Sequence, residues 1–474
     1  MKSHPAKHKR KTRHTHFNMK KLERRPEVGV PLKTSLLAVF ALAGSIGAVL
    51  FLRGANFIYN RIYPVLATES PLVFLAGSFL AITVAAAIVS YLLVVLMPSA
   101  SGSGIPQVKA AYRNQNGSLP FRSTIVRFLA NMIGLGGGFS LGSEGPTVYL
   151  GASIASNCAR AAKVIPRRRK IICAAGAGAG LAAAFNTPIA SVIFIIEELV
   201  DRLNPRQIGG LLLACVIGAY TSWLVVGRHP AFAIPTPQGV STIAYILTPL
   251  VALVAAMTGR WFQSRTLAAR KKVRQWKMRP WLRPIVGGWC VWILGSAVFL
   301  ASGRLGVFGF GYGDLRAALN GEIAWHVALL ILLAKLLATI IAYATAGCGG
   351  VFAPSLFFGT MVGYSIAGIA KCLGAPIGPQ GILLLSLIGM SSCFGALDRA
   401  PLTAVLIVFE MTGCYEIIPA LMIGTVVSQS YSYYLSDKVS FYDAILRQDG
   451  IVLLGDEDRP RTIISPVNEN MQNE

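Results

Sequence analysis

One carboxylate lies inside a long apolar part of the sequence, where an acidic side chain is unusual. Glu144 belongs to the segment Gly142–Pro146, between the apolar runs 125–141 and 147–155. A carboxylate at membrane depth is energetically expensive, which makes it a candidate functional residue. The flanking glycines free the backbone and Pro146 suits a first helical turn, so we predict Glu144 at a helix N-terminus. Free N–H groups there attract anions, and the carboxylate would compete with a dissolved anion. The alternative is a helix cap that never titrates.

A serine lies in a second segment of the same kind. Ser103 is in Gly102–Pro106, which follows the apolar run 71–97. Its hydroxyl can donate a hydrogen bond to a dehydrated anion, or it can serve as an ordinary helix N-cap. Because two other Gly/Pro helix starts occur in the chain, at 142–146 and 349–354, the anion site is the favoured interpretation.

Glu198 is the candidate for exchanging protons with the aqueous phase. It ends the apolar segment 187–198 and is followed by Arg202 and Arg206. A carboxylate at a helix end is expected near water, and nearby cations favour its ionised form. The alternative is an ion pair or a helix-end group without a transport role. Glu197 is expected only to support Glu198, and Glu410 is expected to be structural.

The composition identifies the class of protein. The 474 residues are 54% hydrophobic and only 14% charged, with a mean hydropathy of +0.58. Apolar runs of spanning length recur, among them 35–52, 71–97, 209–226 and 286–301. These features predict an all-α polytopic membrane protein, and the 48 glycines suit close helix packing and broken helices. Two cations within apolar helices, Arg127 and Lys335, are expected to bind free backbone carbonyls.

The net charge of +24 is concentrated in residues 1–33, 159–170 and 260–283. The positive-inside rule assigns all three clusters to the cytoplasmic side. The segment 1–33 is predicted to be a basic cytoplasmic N-terminal segment that signals topology, and contact with anionic lipid is a second interpretation. Nucleic-acid binding is the disfavoured one. The predicted location is the bacterial inner (plasma) membrane, with both termini cytoplasmic.

Nothing in the sequence indicates a metal, a cofactor or an enzyme. The eight cysteines show no CxxC pair and no metal-ligand spacing, so neither metal nor disulfide is predicted. No GxSxG segment or Walker loop supports a membrane-embedded enzyme. A lipid-scaffolding role would not explain the polar helix starts.

Two pairs of similar segments divide the chain into halves. Residues 142–151 resemble 350–359, and residues 187–198 resemble 400–411, in the same order. The first-half segment ends among cations, whereas the segment ending near Glu410 meets none. We therefore predict an inverted-topology repeat with broken, tilted helices and a site near the membrane midplane. The predicted boundaries are 34–226, 242–435, a final helix over 440–447, and a polar tail over 448–474.

Four motifs carry a family resemblance. GSGIP at 102–106, GSEGP at 142–146, GGVFAP at 349–354 and SFYDAIL at 440–446 are similar to the signature motifs of the CLC chloride channel and transporter family. The resemblance covers about residues 34–447. It implies two inverted halves, a homodimer and one anion pathway in each subunit.

The resemblance also implies roles for individual residues. Glu144 is similar to the family's gating glutamate, and Glu198 to the inner glutamate that passes protons in the exchangers. The implied anion-binding set comprises the hydroxyls of Ser103 and Tyr442 together with the backbone at Val351, Phe352 and Gly145. In resembling nitrate-selective members, proline occupies the position of Ser103.

Three departures from the family pattern bear on function. Ser143 replaces the usual arginine beside the gate, Gln107 replaces a glutamate common in exchangers, and Lys109 follows two residues later. The change to Ser143 removes a fixed positive charge near the gate and is expected to weaken anion binding at the outer site. Gln107 and Lys109 indicate a different proton route. The tail is too short for the pair of CBS domains that many relatives carry. The predicted function is chloride/proton exchange, and the alternative is a passive gated chloride channel of the same fold.

Overall fold

The computed structural model describes residues 30–200, 205–228, 230–232, 234, 239–435 and 439–454. In these ranges the chain forms seventeen α-helices and no β-strand, as predicted for an all-α protein. Three parts of the sequence analysis lie outside the described residues. They are the predicted basic segment up to residue 29, Arg202, and the tail from residue 455. The side chain of Arg206 also lies outside the described residues.

The first half contains eight helices. They are α1 (Val30–Leu66), α2 (Pro71–Ser90), α3 (Ile105–Asn114), α4 (Phe121–Gly136), α5 (Glu144–Ala161), α6 (Pro166–Phe185), α7 (Pro188–Phe194) and α8 (Pro205–Val226). Two of them continue as π-helical turns, α2 into Tyr91–Leu96 and α7 into Ile195–Leu199.

The second half and the end of the chain contain nine helices. They are α9 (Thr242–Arg274), α10 (Leu282–Ser302), α11 (Tyr312–Leu319), α12 (Trp325–Ala346), α13 (Phe352–Cys372), α14 (Pro379–Asp398), α15 (Pro401–Thr412), α16 (Ile418–Tyr434) and α17 (Phe441–Gln448). Eight helices of the described part are long and apolar enough to cross a membrane. Others, such as α3, α7, α15 and α17, are too short to do so.

Equivalent segments of the two halves pair directly. The Gly142 N–H donates to the Gly350 carbonyl at 2.7 Å, and the Gly350 N–H donates to the Gly142 carbonyl at 2.8 Å. This pairing is antiparallel. Because each residue is the counterpart of the other in the predicted repeat, the bridge relates the halves by a local two-fold axis. The inverted repeat is therefore confirmed.

Glycine allows the central helices to approach closely. A Cβ atom on Gly359 of α13 would collide with the carbonyl oxygen of Gly389 in α14, and a Cβ on Gly389 would collide with that of Gly359. Gly151 of α5 and Gly176 of α6 have the same relationship in the first half. Small residues at both interfaces let helix backbones touch, as in other helical membrane proteins.

The two buried cations bind backbone carbonyls, as predicted. Arg127 donates to the carbonyls of Ser101 and Gly102, each at 2.9 Å. Lys335 donates to the carbonyl of Gly306 at 2.7 Å. Arg127 therefore holds the irregular segment that leads into α3, which carries Ser103.

Candidate functional site: an anion pathway with two glutamates

Four helices begin close to one another at the centre of the protein: α3, α5, α13 and α17. Ser103 precedes α3 between Gly102 and Gly104, whose φ angles of 102° and 109° favour glycine. A side chain on Gly145 would collide with the backbone of Ser103. The starts of α3 and α5 are thus in contact, and their free N–H groups face a common region.

Glu144 is fully buried and is the first residue of α5, as predicted. Its Oε2 accepts a hydrogen bond from the backbone N–H of Ala353 at 3.1 Å. Its Oε1 accepts from the hydroxyls of Tyr312 at 3.0 Å and Ser143 at 3.3 Å. The carboxylate therefore bridges the beginnings of α5 and α13, where helix dipoles and free N–H groups stabilise negative charge.

Tyr312 is a contact that the sequence did not reveal. It begins α11, whose flanking residues show no recognisable motif, and it lies 168 residues from Glu144. Ser143, which stands where the family has arginine, supplies a neutral hydroxyl to the same carboxylate. The carboxylate of Glu144 is therefore held by hydrogen bonds, and residue 143 contributes a neutral hydroxyl and not a positive charge.

Two buried hydroxyls near these helix starts have no hydrogen-bond partner among the described residues. They are Ser103 Oγ and Tyr442 Oη, and both residues are almost completely inaccessible. Val351 and Phe352 are equally buried at the start of α13, whose first N–H groups have no acceptor within the helix. An unsatisfied buried hydroxyl is costly, so an added acceptor beside these groups would be stabilised.

Glu198 lies in a buried ionic cluster. Its Oε1 accepts from Lys109 Nζ at 2.8 Å and from Ser440 Oγ at 3.0 Å. Lys109 also pairs with Asp443, at 2.6 Å. The expectation that the Glu198 carboxylate lies near water was wrong, because its side chain is only 4% exposed. Among the described residues, the partner of the Glu198 carboxylate is the ammonium of Lys109.

The interpretation of Glu197 as a support for Glu198 was also wrong. Glu197 accepts hydrogen bonds from the N–H groups of Leu402 and Thr403, at 3.0 and 2.9 Å, at the start of α15. Glu410, on α15, accepts from Ile189 and Ala190 at the start of α7, at 2.9 and 2.7 Å. Each half therefore caps a short helix of the other, and the structural role predicted for Glu410 is confirmed.

A cavity of about 440 Å³ adjoins Ser101 and Gly102. Arg270, Arg274 and Arg283 contribute cationic side chains to its lining. Arg270 donates to both carboxylate oxygens of Asp449, at 2.8 and 3.0 Å, and Arg274 also pairs with this residue. The cavity therefore offers an electropositive approach to the segment that carries Ser103.

The family model described as "Voltage gated chloride channel" matches residues 84–433 of this chain. The chain belongs to the CLC family. It is 30% identical over 348 residues to an H+/Cl− exchange transporter, ClcA, of Vibrio vulnificus, covering 72% of this chain and 73% of the relative. A ClcA of Klebsiella pneumoniae is 29% identical over 443 residues, covering 88% and 89% of the two chains. Family membership and the apolar helices make it a multi-pass integral membrane protein.

The fold agrees with a solved structure of the family. The crystal structure of a slow cyanobacterial Cl−/H+ antiporter is 25% identical and superposes with a TM-score of 0.78. The match covers 89% of this chain and 99% of the antiporter. The CLC chain thus has the architecture of its family.

Proposed function

We propose that this chain is a secondary active transporter that exchanges chloride for protons across a membrane. The observation that carries the proposal is the hydrogen bond from the Ala353 N–H to the Glu144 carboxylate. A carboxylate in this position excludes a free anion. Protonation removes its negative charge and so weakens its attraction to the helix N-termini. The names of the relatives, H+/Cl− exchange transporter and Cl−/H+ antiporter, support the same activity.

The proposed anion site comprises the hydroxyls of Ser103 and Tyr442 and the backbone N–H groups of Val351, Phe352 and Gly145. Two buried hydroxyls without partners, beside the N-terminus of α13, support this assignment. A dehydrated chloride would accept hydrogen bonds from all of these donors at once. Because none of them carries a full charge, the ion can be bound and still be released.

The proposed proton route runs from Glu198 to the gate at Glu144. The cluster formed by Lys109, Glu198 and Asp443 contains one ammonium and two carboxylates, so its net charge is −1 when all are ionised. One added proton makes this buried cluster neutral, which avoids an uncompensated charge. Glu198 can therefore accept a proton although it is paired.

A passive gated chloride channel of the same fold is the second candidate. The observation in its favour is the Lys109–Glu198 ion pair, because an ammonium at 2.8 Å stabilises the ionised carboxylate. A channel needs no proton entrance, and the pair would then serve only to hold α3 against the turn that carries Glu198.

The remaining proposals concern assembly and location. We propose a homodimer in the bacterial inner membrane, with both termini cytoplasmic, a basic segment over 1–33 that contacts anionic lipid, a CLC-like domain over 34–447 and a short tail over 448–474. The charge clusters at 1–33, 159–170 and 260–283 support this orientation. We also propose that the protein is a transporter without enzymatic activity.

Proton movement driven by a chloride gradient in reconstituted vesicles tests the proposed function. The membrane voltage is clamped so that only the chloride gradient can drive protons. An exchanger moves protons against their own gradient while chloride runs down. Chloride flux without any proton movement would identify the channel and overturn the exchange proposal.

A further inference from the structure

Asp398 is a buried carboxyl group that the functions assigned above do not use. It is the last residue of α14 and its side chain is completely inaccessible to solvent. Neither of its carboxylate oxygens meets hydrogen-bond geometry with any residue in the described part of the chain. The sequence around it contains no recognisable motif.

The other buried acids of the pathway differ from Asp398 in this respect. Glu144 accepts three hydrogen bonds, and Glu198 accepts two from Lys109 and Ser440. Asp398 has none, and it ends a helix, where the dipole opposes negative charge. An isolated ionised carboxylate costs several kcal/mol to bury, and a bound proton removes that cost.

The surroundings of Asp398 link it to both glutamates and to the anion site. Tyr442 Oη interacts with its carboxyl group, although the two do not meet hydrogen-bond geometry. The charges of Glu198, Lys109 and Glu144, on three other elements, also act on it. Cys393, on its own helix, is a further titratable neighbour. Asp398 therefore lies beside the hydroxyl proposed to bind chloride, and the charges of Glu198 and Glu144 act on it.

We propose that Asp398 binds a proton beside the anion site and relays it between Glu198 and Glu144. This inference rests on the proposed exchange function and adds a third carboxyl group to it. In the inward-to-outward direction, the O–H bond of the Glu198 acid breaks and an O–H bond forms on Asp398. That bond then breaks as one forms on Glu144, and Glu198 regains a proton from solution.

The position of Asp398 also couples the proton to chloride. An ionised Asp398 beside Tyr442 repels an anion bound to that hydroxyl, whereas the neutral acid does not. Binding of chloride therefore favours protonation of Asp398, and protonation favours binding of chloride to the same extent. This mutual dependence would give the buried carboxyl group beside Tyr442 a role in exchange.

The first experiment measures protons moved per chloride in vesicles. Asp398→Asn keeps the shape of the side chain but cannot carry a proton, so the ratio of protons to chloride should fall to near zero. Asp398→Glu should restore part of it. Ser392→Ala is the matched control, because Ser392 is a buried, unpartnered group on α14 that faces α16. A wild-type ratio in Asp398→Asn would overturn the relay.

The second experiment counts protons taken up when chloride binds, by calorimetry in buffers of different ionisation enthalpy. The protein carries Glu144→Gln and Glu198→Gln, which removes both glutamates of the route. At pH values high enough to ionise Asp398 before chloride binds, proton uptake should persist in this double variant and disappear when Asp398→Asn is added. If the double variant takes up no proton, Asp398 does not bind one with chloride.

The two experiments separate failure of the relay from failure of the exchange function. If the wild type moves chloride without protons but the double variant still takes up a proton on binding chloride, exchange is wrong and the link between Asp398 and the anion stands. If the wild type exchanges and Asp398→Asn exchanges equally well, the relay is wrong and the exchange function stands. The double-variant measurement retains Asp398, so it remains decisive even where Asp398→Asn does not fold.

Discussion

Lys109 Nζ lies 2.8 Å from Glu198 Oε1 and is shared with Asp443, so one ammonium holds two carboxylates that come from different parts of the chain. All three side chains are largely buried. In the proposed exchange, Glu198 would therefore take up a proton as a member of a charged cluster. The lysine compensates one carboxylate and leaves the other able to be neutralised by a proton.

Removal of Lys109 should destabilise the protein, chiefly because buried charge is left uncompensated and less because local packing is disturbed. Lys109→Met retains a long side chain but leaves two buried carboxylates facing each other, at a cost of about 3 kcal/mol. Thermal unfolding in detergent measures the loss. Adding Asp443→Asn to Lys109→Met should recover part of the stability, because one of the uncompensated charges is removed. If the double variant recovers no stability, Lys109 does not compensate the charges of both Glu198 and Asp443.

Glu198→Gln should leave chloride transport measurable while largely abolishing coupled proton transport. The amide keeps hydrogen-bonding capacity towards Lys109 but cannot accept a proton. Chloride flux and proton flux are measured in the same vesicles. Glu197→Gln is the matched control: it weakens the cap of α15 and should lower stability without changing the proton-to-chloride ratio. If the Glu198→Gln protein still pumps protons, the proton route does not pass through Glu198.

The helix start at Glu144 could be predicted because the residues that indicate it are close together in the sequence. Glycine, glutamate and proline within five residues predict a helix that begins at Glu144, and α5 begins there. The donors to its carboxylate could not be predicted, because Tyr312 and Ala353 come from another half of the chain. Their meeting depends on how the inverted halves pack around the Gly142–Gly350 bridge.

Glu197 and Glu198 show a different limit of reasoning from the sequence. Adjacent residues on a helix do not face the same side, which explains why Glu197 does not support Glu198 as we had expected. The partners themselves lie 89 residues away for Glu198, at Lys109, and 205 residues away for Glu197, at Leu402. Asp398 could not be identified from the sequence. What distinguishes it is a buried carboxyl group whose oxygens meet no hydrogen-bond geometry with a described residue, and only the folded chain shows this.

Glu144→Gln should imitate the protonated gate. The neutral amide competes less well than a carboxylate for the Ala353 N–H, so the anion path should open and proton coupling should stop. Flux measurements under a chloride gradient test both effects. Tyr312→Phe serves as the control, because it removes one donor and leaves Glu144 able to titrate; its proton coupling should persist. Uphill proton pumping by Glu144→Gln would exclude Glu144 as the gate.

Ser103 should influence which anion is preferred. Its buried hydroxyl has no partner within the described structure, so Ser103→Ala should weaken chloride binding by about 1 kcal/mol, roughly fivefold. Ser103→Pro should shift preference from chloride towards nitrate. Anion competition in flux assays measures both. Ser296→Ala, which removes another buried unpartnered hydroxyl on α10, should change neither; unchanged selectivity in Ser103→Pro would remove Ser103 from the site.

The last prediction concerns the pH dependence of stability at the end of the chain. Burial raises the pKa of the Asp449 carboxyl, but hydrogen bonds and charge from Arg270 and Arg274 outweigh burial, so this pKa lies below its usual value. A carboxyl with a depressed folded pKa stabilises the protein above its unfolded pKa, about 3.9 for aspartate. That contribution is lost as pH falls through the lower folded value.

Asp449→Asn should therefore lower the thermal midpoint near neutral pH and should reduce the further loss seen as the pH falls below about 4. Unfolding curves in detergent across this acidic range compare the wild type with the variant. Glu69→Gln, which removes an exposed carboxylate at the end of the loop before α2, provides the control and should follow the wild-type profile. If Asp449→Asn and wild type lose stability in parallel on acidification, the ion pairs of Asp449 do not stabilise the fold.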